Sequence, residues 1–230
     1  MALRVTSRDR TGPQGFSLLA TSFEKVVDID RPVCLCQLMV TSSPRQRILE
    51  TASEMFYAQG VRAVGVDAII ARAAVAKASF YKHFQSKDDL IVAYLMRRDE
   101  LWRRWLEESV GRLAKSADKR PLAVFDALAE RFATNDFRGC AFINSMAELA
   151  DRSHAAHVAA AHHKQQLTAF LRKLLAEAGV AANPLAEQFM ILIDGSIVTA
   201  LRKGDSAPAK TAKQIAAMLL HEARERKFES

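Results

Sequence analysis

Side chains that can bind phosphate and hydrogen-bond to bases are concentrated in one short stretch of this sequence. The stretch runs Lys77-Ala78-Ser79-Phe80-Tyr81-Lys82-His83-Phe84 and is followed by Lys87. On a helix, Phe80 and Phe84 are four residues apart and share one face, so both can pack inward. The polar residues of the stretch are then left to face a DNA groove or its phosphates. These outward candidates are Lys77, Ser79, Tyr81, Lys82 and His83.

Two short helices, preceded by a longer one, are predicted to position this stretch. The longer helix should begin at Pro44, after a serine cap, and end at Gln59 before Gly60. The second should cover 66–73, with Gly65 as a modest N-cap, and the third should cover 77–84. Two short helices separated by about three residues predict a helix-turn-helix unit. In such a unit the second helix places its N-terminal side chains in the major groove.

Total charge does not identify the partner. The 230-residue chain holds 33 Lys+Arg and 26 Asp+Glu, a formal charge of +7, which favours an acidic partner such as nucleic acid or a membrane surface. Residues 43–90 hold seven basic and five acidic side chains, a net charge of only +2. The placement of basic residues around the turn is therefore what points to DNA. Periodicity alone favours the alternative, an ordinary helical domain whose aromatic-basic stretch is a core edge with a solvated face.

The rest of the chain is also predicted to be helical. A long helix capped by Ser86 should run to about residue 115, and further helices are expected near 121–134, 141–150, 154–178, 184–202 and 208–226. No alternating strand pattern is present, so the fold is predicted to be all-α. Residues 1–43 lack helical periodicity and are expected to be a flexible leader. A translation start at Met39 is the alternative, because such a chain would lose no predicted helix.

Several classes of protein and site are disfavoured. No apolar run approaches the ~20 residues of a membrane-spanning helix, and the N-terminus has no signal-peptide pattern. Cys34, Cys36 and Cys140 are too few for a disulfide framework, so a cytoplasmic location is expected. Nucleophile elbows, phosphate loops and dinucleotide fingerprints are missing, so neither enzymatic activity nor a cofactor is predicted. Four histidines between 154 and 163 could suggest a metal, but histidines of a polar face are the default interpretation.

Residues 45–92 closely resemble the DNA-binding domain of the tetracycline-repressor (TetR) family of transcriptional regulators. The order of elements matches, and so does the specific run Phe-Tyr-x-His-Phe-x-Ser-Lys-x-x-Leu at residues 80–90. The resemblance implies a ligand-responsive repressor that binds a palindromic double-stranded operator as a homodimer. It implies a DNA-binding domain over 44–91 and a helical effector-binding and dimerisation domain over 92–230. The implied DNA-binding residues are Arg45, Gly65, Lys77, Ala78, Ser79, Tyr81, Lys82, His83 and Lys87, with phosphate contacts expected from Tyr81, His83 and Lys87.

Two residues depart from the family pattern. Ala74 stands in the turn where glycine is usual, and a left-handed alanine there would cost on the order of 1 kcal/mol. Ala76 stands where a serine or threonine usually caps the third helix, a cap typically worth ~1 kcal/mol. Neither change removes an expected DNA contact, so they bear on the rigidity of the turn.

The second half of the chain supplies candidate effector and dimer residues. The expected effector is an unknown small molecule in an apolar pocket with a few polar groups, lined by Trp102, Trp105, Phe125, Phe142, Asn144, Met146 and His157. For each aromatic residue, core packing is the alternative. The last two helices carry apolar faces that would pair with a second subunit, through Phe189, Leu192, Gly195, Ile215 and Leu219. Burial of these faces within one subunit is the alternative, and a protein-interaction adaptor without operator specificity is the alternative to a regulator.

Overall fold

The computed structural model describes residues 42–228, which form nine α-helices, one 3-10 turn at Ala117–Lys119 and no β-strand. The predicted all-α fold is therefore confirmed. The expected leader over residues 1–43, including Cys34, Cys36 and Met39, lies outside the described residues except for its last two. In chain order the helices are α1 Pro44–Gln59, α2 Val66–Arg72, α3 Lys77–His83, α4 Lys87–Leu113, α5 Arg120–Phe132, α6 Ala141–Glu148, α7 Ala155–Glu177, α8 Ala182–Lys203 and α9 Ala207–Phe228.

Capping residues set both ends of α1 and the beginning of α4. Ser43 Oγ accepts a hydrogen bond from the Gln46 N–H at 3.2 Å where α1 begins. Ser86 Oγ accepts from the Asp89 N–H at 3.0 Å where α4 begins. At the other end of α1, Gly60 adopts a φ of 91°, which favours a residue without a Cβ. The predicted boundaries of α1 and the start of α4 are therefore confirmed.

Two clusters of buried apolar side chains hold the helices together. The first lies among α1, α2, α3 and the N-terminal half of α4, and it also includes Phe142 of α6 and Ala160 of α7. The second lies among the C-terminal half of α4 and helices α5, α7, α8 and α9. The 27-residue helix α4 contributes Leu95 to the first cluster and Leu106 to the second. α4 therefore fixes the helix-turn-helix relative to the rest of the chain.

Within residues 42–228, α8 is the one helix long and apolar enough to cross a membrane by length and composition. Its most apolar stretch is 44% buried within the subunit. Phe189 and Ile193 are completely buried there, so α8 is a core helix that also presents an apolar outer face.

The turn between α2 and α3 contains the one non-glycine residue of residues 42–228 with a left-handed backbone, Ala74, whose φ is 51°. The Ala74 N–H donates to the Ala71 carbonyl, and the Val75 N–H donates to the Ile70 carbonyl, both at 3.3 Å. These two bonds form a Schellman motif, in which the left-handed position usually holds glycine. Ala74 is therefore left-handed, which is the conformation in which an alanine in this turn was expected to cost stability. Ala76 begins α3 without a side-chain cap, also as predicted.

Replacing Ala74 with glycine should stabilise the protein by about 1 kcal/mol, because glycine adopts a positive φ without the steric cost of a Cβ. Thermal or urea unfolding of Ala74→Gly measures the change. The matched control is Ala68→Gly. Ala68 is exposed on the right-handed backbone of α2, so glycine at this residue should lower the melting temperature of the protein. A lower melting temperature for Ala74→Gly would contradict this interpretation of the turn.

Candidate DNA interface and effector pocket

The orientation of α3 is set by two phenylalanines. Phe80 is completely buried and Phe84 is 4% exposed, with their ring centroids 6.2 Å apart. Both belong to the first cluster, where α3 packs against α1 and α2. The predicted inward face of α3 is therefore confirmed.

The opposite face of α3 is directed away from the protein. Lys77, Ala78, Tyr81 and Lys82 are exposed, and the Tyr81 side chain is 46% accessible. Ser79, His83 and Lys87 are partly exposed, while Arg45 and Gly65 are exposed on neighbouring elements. The predicted DNA-contacting residues are thus all at least partly accessible on the helix-turn-helix and its flanks. Their contacts with DNA stay a prediction.

Several of these residues already have partners in the protein. Lys77 Nζ lies 3.3 Å from Asp67 Oδ1 in a solvent-exposed pair, which contributes little stability and can be exchanged for a phosphate. Lys87 Nζ donates to the Arg62 carbonyl at 3.2 Å and so braces the loop between α1 and α2. The Arg45 guanidinium lies over the Phe84 ring, 5.2 Å from its centroid. The predicted phosphate contact of Lys87 would require the ammonium to be shared with this loop.

A cavity of about 30 Å³ lies between α1, α4, α5, α6 and α7. This volume holds about one or two water molecules, so a larger occupant must push the side chains apart. Trp102 and Phe142 line it, as predicted. Its other aromatic wall residues are Tyr57, Phe132, Phe137 and His163.

Five of the predicted effector residues lie elsewhere in the protein. Phe125 packs against Phe189 in the second cluster, with ring centroids 5.6 Å apart, so the pocket prediction for Phe125 is wrong. Trp105 and Met146 are partly buried at the edges of the two clusters. Asn144 lines a separate cavity, and the His157 Nδ1 is buried with no hydrogen-bond partner among residues 42–228.

The cations of the pocket wall were missed by sequence reasoning. Arg98 of α4, Arg131 of α5 and Lys164 of α7 all line the cavity, but they are far apart in the sequence and form no motif. One signal was available: Val124, Leu128 and Arg131 recur at helical spacing, which places an arginine on the apolar stripe of α5. Arg131 is only 8% exposed.

The Tyr57 hydroxyl joins the end of α1 to the loop before α6. It accepts hydrogen bonds from the Arg138 N–H at 2.9 Å and from Arg131 Nη2 at 3.1 Å, and it donates to the Gly139 carbonyl at 3.2 Å. The Arg98 guanidinium stacks 3.6 Å from the centroid of the Tyr57 ring. A helix of the predicted DNA-binding segment therefore supplies part of the pocket wall.

A second contact joins the loop after α1 to α6. It lies beside a cavity of about 240 Å³. The Glu148 carboxylate at the end of α6 accepts a hydrogen bond from the N–H of Arg62, in the loop after α1, at 2.7 Å. A Cβ added at Gly60 would lie 2.7 Å from a Glu148 oxygen. Gly60 thus needs glycine both for its backbone and for the approach of Glu148.

His163 and Asp99 form a buried pair behind the pocket, with Nδ1 and Oδ1 2.6 Å apart. Burial on its own raises the pKa of Asp99, but hydrogen bonds from His163 and Arg103 bring this pKa down to about 2. Burial lowers the pKa of His163 below its usual 6.5 despite the neighbouring carboxylate. The imidazole stacks on Phe142 at 3.6 Å between centroids and meets the edge of Trp102. His163 is therefore a neutral component of the wall at pH 7.

Residues 42–228 contain no group of three or more His, Cys, Asp or Glu side chains that could hold a metal ion. His154 instead caps α7, where its Nδ1 accepts from the Ala156 N–H at 3.2 Å. Cys140 is a free thiol at the pocket.

The outer face of α8 and α9 exposes large apolar side chains. Ile191, Gly195 and Val198 recur along α8 at helical spacing, and Ile191 and Val198 are 73% and 51% exposed. Gly195 has no atom within 4 Å of where a Cβ would stand, so a partner helix has room to approach. Ile215 and Met218 continue the exposed face on α9, and Leu192 and Leu219 are half-buried beside it. The predicted dimer role of Phe189 is wrong, because this side chain is completely buried in its own subunit.

Similar proteins are transcriptional regulators. A family profile described as bacterial regulatory proteins, tetR family, matches residues 48–94. The transcriptional regulator AcuR of Cereibacter sphaeroides is 32% identical over 171 residues, which cover 69% of this chain and 77% of AcuR. The transcriptional activator FasR of Mycolicibacterium smegmatis is 45% identical over 53 residues, 23% of this chain and 24% of FasR. The crystal structure of a TetR-family regulator from Streptomyces coelicolor superposes with a TM-score of 0.71 at 31% identity, covering 78% of this chain and 95% of that one.

Lowering the pH from 7 to 5 should reduce the stability of the folded protein, in part through His163. Because burial lowers the folded-state pKa of this imidazole, its stabilising contribution is complete above the unfolded value of 6.5 and is lost as the pH falls below it. Melting temperatures measured across this range should fall less steeply for His163→Gln than for the native chain. His162→Gln, at the exposed neighbouring residue, should keep the native slope. An unchanged slope in His163→Gln would contradict the assignment.

Proposed function

Because this chain belongs to the TetR family of bacterial regulatory proteins, we propose that it is a ligand-responsive repressor. In this proposal it binds a palindromic operator as a cytoplasmic homodimer and is released by a small molecule. The observation that carries the proposal is the outward face of α3, which presents lysines, a serine and a tyrosine on a helix anchored by buried phenylalanines.

The chemistry of that face suits DNA. Lysine ammonium groups pair with phosphates or with guanine acceptors, and a tyrosine hydroxyl donates to phosphate oxygens. Lys77, Ala78, Ser79 and Lys82 are assigned to base edges or the nearby backbone, and Tyr81 and His83 to phosphates. Arg45 and Lys87 flank the same side. The small side chain of Ala78 leaves room for the helix to approach the bases.

The apolar face of α8 and α9 is assigned to the homodimer. Exposed residues such as Ile191, Val198 and Met218 gain free energy when a second copy covers them. A two-fold dimer would carry two copies of α3, which must be separated by about 34 Å to enter successive major grooves. A palindromic operator follows from this symmetry.

Release is assigned to the pocket. An occupant that moves the pocket wall would also move Tyr57, and with it the end of α1 on which the helix-turn-helix packs. Such an occupant lowers DNA affinity only if it binds better to a conformation whose two α3 helices no longer match the grooves. Whether the DNA-bound protein represses or activates transcription is a separate part of the proposal. A reporter gene under the operator tests whether the chain represses or activates transcription. FasR, which matches 23% of this chain, is named an activator.

Changes at Tyr81 and Lys82 should weaken operator binding. Fluorescence anisotropy of duplexes from the DNA upstream of the chain's own gene should show one strongly preferred duplex. Tyr81→Ala and Lys82→Ala should each reduce the affinity for it by about tenfold. Lys173→Ala, at an exposed lysine of α7, is the matched control and should leave affinity unchanged. Binding without sequence preference, or tolerance of both changes, would contradict the proposal and favour the adaptor.

An acidic residue in the α8 face should weaken the homodimer. Val198→Asp places a charge that would be buried without a partner at the proposed interface, so it should raise the dimer dissociation constant by at least about tenfold. Sedimentation at several protein concentrations measures the constant. Val158→Asp changes a similarly exposed valine of α7, 56% accessible, and should leave it unchanged. Equal effects of the two changes would place the interface elsewhere.

A further inference from the structure

The pocket between α1, α4, α5, α6 and α7 has a wall of one charge sign. Arg98, Arg131 and Lys164 line it, and no carboxylate of residues 42–228 does. The acidic partners of Arg131 and Lys164 are not among the lining residues. Asp136 accepts from Arg131 Nη1 at 2.9 Å, and Asp194 lies 2.5 Å from Lys164 Nζ.

The two carboxylates are more exposed than the cations they pair with. The Asp136 and Asp194 side chains are 38% and 36% accessible, against 8% for Arg131 and 17% for Lys164. Water screens the carboxylates more strongly than the buried cations. The lining of the pocket contains the cationic groups, whereas Asp136, Asp194 and the buried Asp99, which pairs with His163, are not among its lining residues.

Lys164 remains charged in this position. Burial acts to lower the pKa of its ammonium, but the interactions with Cys140 and Asp194 raise this pKa overall. The His163 imidazole beside it is neutral at pH 7 because burial lowers its pKa. The cationic character of the wall thus comes from one lysine and two arginines.

The remaining wall is aromatic and apolar. Trp102, Phe132, Phe137 and Phe142 surround the cationic side, so a ligand needs an apolar body as well as a negative group. The cavity of about 30 Å³ restricts that body to few atoms. Arginine guanidinium groups bind planar carboxylates through paired hydrogen bonds.

We propose that the pocket binds a small organic carboxylate, with the carboxylate on Arg98 and Lys164 and the apolar body against Trp102 and Phe142. The proposal rests on the proposed function, in that this ligand would be the releasing effector. Arg98 stacks on Tyr57, so an anion that draws the guanidinium into the pocket alters a contact made by α1.

A matched pair of ligands tests the charge requirement. Propionate and propanamide have nearly the same size and shape, and only propionate is charged. Isothermal titration calorimetry on the full chain without DNA, at equal ionic strength, should give propionate an affinity at least about tenfold higher than that of propanamide. Benzoate and benzamide form a second pair with a larger apolar body. Equal affinities within both pairs, or no binding of either acid at millimolar concentrations, would overturn the proposal.

A matched pair of variants tests the location. Arg98→Gln should weaken propionate binding by about tenfold and leave propanamide unaffected. Arg97→Gln is the control, because Arg97 points to Glu50 of α1, 3.4 Å away, and does not line the pocket. Native affinity in Arg98→Gln would overturn the proposal. If the melting temperature shows that Arg98→Gln is unfolded, Lys164→Gln replaces it, with Lys173→Gln as its control and the same criterion.

Operator binding without any acid is measured in parallel. A chain that prefers one duplex but does not discriminate acid from amide contradicts this inference alone. A chain that binds propionate at Arg98 but shows no preferred duplex contradicts the proposed function alone.

Discussion

Burial of Phe80 is the constraint on which the DNA-facing surface depends. α3 has only seven residues, and a helix of that length is not stable in water without tertiary packing. Its position is set by a phenylalanine ring that is completely inaccessible to solvent, with Phe84 packed one turn later. Because Phe80 faces the core, helical periodicity directs the Tyr81 and Lys82 side chains outward. Loss of the ring would remove the orientation of the whole surface as well as several kcal/mol of core packing.

The helix-turn-helix is not isolated from the rest of the molecule. Tyr57 brings the end of α1 into hydrogen bonding with the backbone before α6, and Glu148 brings the end of α6 to the Arg62 N–H. The first apolar cluster itself includes Phe142, a ring that also lines the pocket. The pocket and the apolar cluster that anchors α3 therefore share Phe142, so a change of shape at one has a short physical path to the other.

Local patterns in the sequence predicted what local interactions decide. The α1 ends and the inward Phe80 and Phe84 follow from caps and helical spacing within a few residues. The pocket wall does not, because Arg98, Arg131 and Lys164 converge only when three separate helices pack. Phe125 and Phe189 were misplaced for the same reason: an aromatic residue on an amphipathic helix can face a ligand, a partner or its own core, and only the packing shows that these two rings meet each other.

In the proposed function, the outward face of α3 binds DNA as one of a two-fold pair. Hydroxyl-radical footprinting on the preferred upstream duplex tests it most directly, because it maps backbone protection at single-nucleotide resolution. The expected result is protection of both strands in patches related by two-fold symmetry, with the two half-sites centred about 34 Å apart. Protection of a single unsymmetrical patch, or uniform protection along the duplex, would contradict the claim.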